Sequence, residues 1–213
     1  MLLSSANFTT SLAKNVGGPG WSMVPGDYDG DGLADLAVYN TSTGQWYGLE
    51  SSTHYTTSFT VFYGGTGWTP VPADYDGDGK ADAGVYEGAT GVWSILLSTT
   101  NFTTSLGASL GGSGWTPVQA DYDGDGKADL VVYNELGGHW SGLTSSTNYT
   151  PAIDVVWGGS GYQPVRGDYD GDGRADFATY VASSGMWYIR FSGGSSITSP
   201  WGGPGYAAVP QYL

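Results

Sequence analysis

Sixteen of the twenty acidic side chains in this 213-residue chain fall in four short runs of one pattern. Asp-Tyr-Asp-Gly-Asp-Gly begins at Asp27, Asp74, Asp121 and Asp168, and a further Asp closes each run at its ninth position. Positions 1, 3, 5 and 9 are therefore Asp27, Asp29, Asp31 and Asp35; Asp74, Asp76, Asp78 and Asp82; Asp121, Asp123, Asp125 and Asp129; and Asp168, Asp170, Asp172 and Asp176. Four carboxylates within nine residues repel one another unless a cation lies among them. Calcium suits such a set, because it takes about six to eight oxygen ligands in flexible geometry, whereas magnesium demands a tight octahedron and keeps its waters. Gly32, Gly79, Gly126 and Gly173 at position 6 permit the sharp turn that brings alternate side chains inward. Position 7, which is Leu33, Lys80, Lys127 or Arg174, offers its backbone carbonyl, with its side chain facing away. An EF-hand would need a Glu at position 12 and flanking helices, but position 12 is Val38, Val85, Val132 or Thr179. Simple turn formation needs one or two Asp or Gly residues, not four carboxylates in fixed register. About four calcium ions are the expected cofactor, and they would take the formal charge from −14 to −6.

The elements that must position these loops repeat with them. The runs are spaced by 47 residues, and Trp46, Trp93, Trp140 and Trp187 keep the same step, as do Tyr39, Tyr86, Tyr133 and Tyr180. The chain is read as one domain over 1–213, with a partial unit at 1–26 and repeats at 27–73, 74–120, 121–167 and 168–213. Each unit reads as β throughout, since no stretch sustains a helical period. In the third unit the expected strands are 115–120, 130–133, 139–143 and 152–157. Gly44 and its equivalents suit a hairpin glycine at positive φ between the second and third strands. Pro25, Pro70, Pro72, Pro117 and Pro164 all fall in the first strand, which makes that strand a sheet edge, because proline cannot donate to a ladder. The second strand is apolar on both faces, as a strand sandwiched between neighbouring sheets would be. Four strands in a unit of about 40 to 50 residues indicate a β-propeller whose first strands line a central channel. Four full units with partial units at both ends leave closure open. An assembled fifth blade, using about 1–18 and 205–212, is preferred to four blades, and completion of the ring by another chain is the alternative.

Composition removes several function classes. With no cysteine there is no disulfide framework, thiol nucleophile or Cys-ligated metal. The longest apolar runs are a few residues, against about 20 for a membrane span, and the start lacks the basic region of a secretory signal. A net charge of −14 with only six scattered basic residues argues against nucleic-acid binding. Outside the four runs, four acidic residues face six basic ones, so the acidity belongs to the loops.

The pattern Asp-x-Asp-x-Asp-Gly-x-x-Asp after a Gly-aromatic-x-Pro-Val strand resembles the FG-GAP or VCBS-type repeats of integrin α-subunit propellers and of many bacterial and fungal extracellular proteins. The resemblance covers nearly the whole chain. It implies a calcium-binding propeller with ions in the loops between first and second strands, and an extracellular or cell-surface location. Family propellers commonly have seven blades, which this chain does not supply.

Related repeats occur in lectins, in adhesion receptors and in accessory domains of polysaccharide enzymes, so the fold alone does not choose a ligand. The reading is a calcium-stabilised binding module with a carbohydrate ligand; a protein-interaction, adhesion or structural module is the alternative. Three aromatic sets could stack on sugar rings or equally fill the space between blades: Trp46, Trp93, Trp140 and Trp187; Trp21, Trp68, Trp115 and Tyr162; and Tyr28, Tyr75, Tyr122 and Tyr169. No catalytic residue is expected. The unrepeated polar residues His54, His139, Glu50, Glu87, Glu135, Asp154, Arg166 and Arg190 form no triad order or paired-carboxylate signature. Gly-Gly-x-Gly linkers lack the Lys-Ser/Thr and helix of a phosphate cradle. The Asn-x-Ser/Thr triplets at Asn7, Asn40, Asn101 and Asn148 read as chance products of Ser/Thr-rich turns.

Overall fold

The computed structural model describes residues 11–209. They form sixteen strands in four antiparallel sheets of four in simple up-and-down order, each sheet taking its first strand from before an acidic loop and the other three from after it. Blade 1 holds β1 (Trp21–Met23), β2 (Leu36–Asn40), β3 (Gln45–Leu49) and β4 (Ser58–Phe62); blade 2 holds β5 (Trp68–Pro70), β6 (Ala83–Glu87), β7 (Val92–Leu96) and β8 (Ser105–Ser109). Blade 3 holds β9 (Thr116–Pro117), β10 (Leu130–Asn134), β11 (His139–Thr144) and β12 (Thr150–Val156); blade 4 holds β13 (Gln163–Val165), β14 (Phe177–Val181), β15 (Met186–Arg190) and β16 (Ser196–Pro200). The chain is a four-bladed β-propeller with almost no helix.

The first strand of every blade is an edge, as the prolines require, and these four strands enclose a cavity of about 290 Å³ lined by Val24, Pro70, Pro117, Pro164 and their neighbours. The second strands are buried on both faces, and β6 and β10 are buried at four successive positions. One apolar cluster fills each of three seams between consecutive blades. Trp46, Trp93 and Trp140, at most 1% exposed, anchor the clusters with rings 4.9 Å from Tyr39, Tyr86 and Tyr133.

The same tyrosines fix the linkers that pass the chain to the next blade. The backbone N–H of Gly65 donates to Tyr39 Oη at 2.7 Å, and Gly112 donates to Tyr86 Oη at 2.8 Å. Gly44, Gly91, Gly138 and Gly185 have φ between 64° and 78°, and a Cβ on any of them would lie 2.6–2.9 Å from the carbonyl of the linker glycine it faces. Glycine is needed there for both the turn and the close approach.

The preference for five blades is corrected for the described residues, which form four. Of the segments assigned to an assembled fifth blade, 1–10 and 210–212 lie outside the described residues. Residues 11–18 and 205–209 contain no strand beyond a single bridge at Ser11.

Candidate metal centres

All four acidic loops connect the first and second strands of their blades, so they gather on one rim of the propeller. In each loop three carboxylates offer oxygens within 4.8 Å of one another. The groups are Asp27, Asp29 and Asp35; Asp74, Asp76 and Asp78; Asp121, Asp123 and Asp129; and Asp168, Asp170 and Asp176. Asp31, Asp82, Asp125 and Asp172 belong to the same loops but fall outside these groups. The sequence pattern treated the four positions alike; the fold divides their work.

Position 1 organises the turn. Asp27 accepts the N–H of Gly30 on Oδ1 at 2.6 Å and that of Gly32 on Oδ2 at 2.7 Å, and Asp74, Asp121 and Asp168 repeat this pattern. Position 5 accepts the backbone N–H of position 7, which is Leu33, Lys80, Lys127 or Arg174.

Position 9 ties the loop to the blade. Asp129 Oδ2 accepts from Tyr122 N at 2.8 Å and Oδ1 from Ser145 N at 2.7 Å, and Asp35, Asp82 and Asp176 are held in the same way. These carboxyls are buried, and burial pushes those of Asp82 and Asp129 up to about 6 despite the bonds they accept. Burial raises Asp35, Asp74 and Asp176 as well, whereas the Gly173 N–H holds Asp168 below the ordinary carboxylate value. Proteins rarely bury unpaired carboxylates in mutual contact, and a divalent cation is the charge that would lower them again.

Position 3 fits the same reading. Asp123 Oδ2 accepts from Ser146 Oγ at 2.6 Å, but Asp123 Oδ1 is buried with no hydrogen-bond partner. An anionic oxygen in that state is suited to a metal ion. The oxygen-only donor set, with three gathered carboxylates and nearby backbone carbonyls, is the chemistry calcium takes.

Two features of the site escaped the sequence reasoning. Ser51, Ser98, Ser145 and Ser192, in the loop after the third strand, each donate a side-chain hydroxyl to the position-5 carboxylate and a backbone N–H to position 9. They also keep the 47-residue step, which was the available signal. Second, the loops are chained to one another. Ala81 N donates to Asp27 O at 2.6 Å, Ala128 N to Asp74 O at 2.7 Å and Ala175 N to Asp121 O at 2.6 Å. The stems of Lys80, Lys127 and Arg174 lie over Gly30, Gly77 and Gly124 of the preceding loops.

The aromatic sets divide sharply. Trp46, Trp93 and Trp140 and Tyr28, Tyr75 and Tyr122 are buried, so of the two readings the fold gives these residues the core between blades. Their blade-4 counterparts Trp187 and Tyr169 are partly open, and Trp21, Trp68, Trp115 and Tyr162 are half-buried. Among the unrepeated polar residues, His139 Nε2 meets Asp154 Oδ1 on the surface. His54, at φ 56°, occupies the left-handed turn position that Asn101 and Asn148 take in other blades. Glu50, Glu87, Glu135, Arg166 and Arg190 do not join the His139–Asp154 pair in one site.

Known protein families give the same repeat. A family model described as FG-GAP-like repeat matches residues 27–85, and one described as FG-GAP repeat matches residues 113–149. No curated protein and no solved structure matches the chain.

Proposed function

This chain carries FG-GAP-type repeats, and from that premise we propose that it is a calcium-stabilised extracellular binding module whose ligand is carbohydrate. Repeats of this kind in a propeller suggest a protein-interaction or adhesion-type module, are typically non-catalytic and are typical of extracellular or surface proteins. No helix among the described residues is long and apolar enough to cross a membrane.

The observation that carries the metal reading is the fourfold gathering of three carboxylates, with the Asp123 oxygen lacking a donor. The carboxylates at positions 1, 3, 5 and 9 and the carbonyls of Leu33, Lys80, Lys127 and Arg174 would hold one ion per loop. Calcium supplies positive charge that removes the repulsion and desolvation of those carboxylates, and binding to the folded state alone adds stability by mass action. The protein's own N–H groups pre-set the loops by holding positions 1 and 9. Millimolar calcium outside cells suits sites of this class.

Carbohydrate is supported by the half-buried set Trp21, Trp68, Trp115 and Tyr162, one per blade at equivalent positions. A ring face kept partly open offers a stacking surface, and equal sites on several blades give avidity. The test is a glycan array probed with the calcium-loaded protein and again with chelator. Specific, chelator-sensitive sugar binding supports the proposal; silence across a broad array from folded protein overturns the carbohydrate assignment. A second reading, protein interaction, is favoured by the open outer face of blade 4.

A further inference from the structure

In the second, third and fourth acidic loops one peptide unit takes part in two neighbouring loops at once. It joins positions 7 and 8, which are Lys80–Ala81, Lys127–Ala128 and Arg174–Ala175. Its carbonyl belongs to position 7, the carbonyl that the metal reading turns toward the ion of its own loop. Its N–H belongs to position 8 and donates to the backbone carbonyl at position 1 of the preceding loop, at 2.6 Å for Asp27 O, 2.7 Å for Asp74 O and 2.6 Å for Asp121 O. Each of these acceptor residues also offers its carboxylate to the gathered trio of its own loop. Ala81, Ala128 and Ala175 are buried at 7% exposure or less, whereas Ala34, at the same position in blade 1, is exposed. Small residues set the spacing of the bond between the first two loops: a Cβ on Gly26 would lie 3.0 Å from Ala81 Cβ.

A second tie joins loops 2 and 3. Tyr149, held at φ 57° in the loop after β11, donates its hydroxyl to Tyr75 O at 2.9 Å and lies 3.3 Å from Ala128 O. Those carbonyls belong to position 2 of one loop and position 8 of the next. Blade 2 has Phe102 at the equivalent place and so has no hydroxyl to give, and in blade 1 Tyr55 Oη reaches Ala34 O of its own loop at 3.3 Å.

We propose that these ties make calcium binding cooperative from loop to neighbouring loop, with loops 2 and 3 coupled most strongly through Tyr149. The inference rests on the metal reading and deepens it. The peptide unit is planar and stiff, so an ion that fixes its carbonyl also fixes the direction of its N–H. Coordination draws electron density from the amide and strengthens that N–H as a donor to position 1 of the neighbour. A loop already held at position 1 loses less conformational entropy when it takes its own ion, and linkage makes the gain reciprocal. Charge alone gives the opposite sign, because each bound ion weakens the pull of the nearby acidic loops on the next; salt at physiological strength screens that effect beyond about 8 Å. The sign of the cooperativity separates the two.

The experiment titrates chelator-stripped 213-residue protein with calcium against a competing chromophoric chelator at about 0.15 M KCl, with thermal melts of the same protein in chelator and in saturating calcium. Coupling toward the lower end of the usual range of about 5- to 150-fold gives a Hill coefficient of about 1.5–2.5 for the wild type. Tyr149→Phe is a mild change, since Phe102 already stands at that place in blade 2. It should keep every loop filled at saturation, lower the Hill coefficient and weaken the coupling about 2- to 10-fold. Asp123→Asn, which weakens the third site, should move the whole binding curve, where independent loops would move only the quarter that belongs to loop 3. A Hill coefficient at or below unity with every loop filled overturns the coupling and leaves the metal reading standing, and absence of any bound ion overturns both. A Tyr149→Phe protein that melts lower by the same amount in chelator and in calcium, with an unchanged binding curve, marks a purely structural tie and overturns the role of Tyr149.

Discussion

Replacing Asp129 by Ala should cost the protein far more stability in calcium than in chelator. Two terms set the chelator value. Removing the carboxylate strands the buried N–H groups of Tyr122 and Ser145, which now donate at 2.8 and 2.7 Å. A buried donor left without a partner costs about 1–3 kcal/mol, so the pair costs about 2–6 kcal/mol. Against this, burial raises the Asp129 carboxyl from 3.8 to about 6, so holding it ionised at pH 7.5 costs the folded state about 3 kcal/mol, a cost the variant no longer bears. The net effect in chelator then runs from a gain of about 1 kcal/mol to a loss of about 3 kcal/mol. In calcium the wild-type carboxylate is neutralised by the ion, the relief disappears, and the third site's binding energy is lost as well. At a concentration about 100 times the dissociation constant, that last term alone is about 2.7 kcal/mol. Urea unfolding at pH 7.5, with chelator and with millimolar calcium, reads both values. An equal cost in the two conditions would refute the division of labour assigned to position 9.

Asp123→Asn should leave stability in chelator within about 1 kcal/mol of the parent, because it removes a charge from an oxygen that has no donor, while weakening calcium binding at the third loop in a calorimetric titration. In chelator the protein should become more stable as the pH falls from about 7 to about 5. The raised Asp82 and Asp129 carboxyls bind protons in the folded state that the unfolded chain has released, so their contribution is largest below the ordinary value of 3.8 and is lost as pH rises through about 6. Thermal melts at the two pH values check the sign, and saturating calcium should reverse it. Trp93→Ala, which empties the seam between blades 2 and 3, should cost about 3–5 kcal/mol in urea unfolding. Tyr86→Phe should cost about 1–3 kcal/mol by leaving the Gly112 N–H without its acceptor.

Much of this architecture was legible because each repeat carries its own instructions. Prolines in the first strand marked the edge on the central cavity, a doubly apolar second strand marked the interior of a stack, and glycine at 44, 91, 138 and 185 marked the hairpin. The gathering of carboxylates in each loop was legible because three or more of them recur within nine residues in every unit. Their inner division was not, since spacing does not reveal that in the third loop Asp129 is bound to the Ser145 and Tyr122 backbone while Asp123 keeps an oxygen free of donors. The supporting serines lie about twenty residues away, on a loop that only the fold returns to the site. The aromatic sets were ambiguous because symmetric packing and symmetric binding repeat alike; burial separates them. The chaining of loops through the N–H groups of Ala81, Ala128 and Ala175 depends on contacts between blades, which a single unit's pattern does not contain.

The most direct test is an isothermal titration of chelator-stripped protein with calcium, paired with thermal melts across the same range. The account predicts about four ions per chain at millimolar calcium or below and a melting midpoint that rises with occupancy. No binding heat and no stabilisation at millimolar calcium would contradict it.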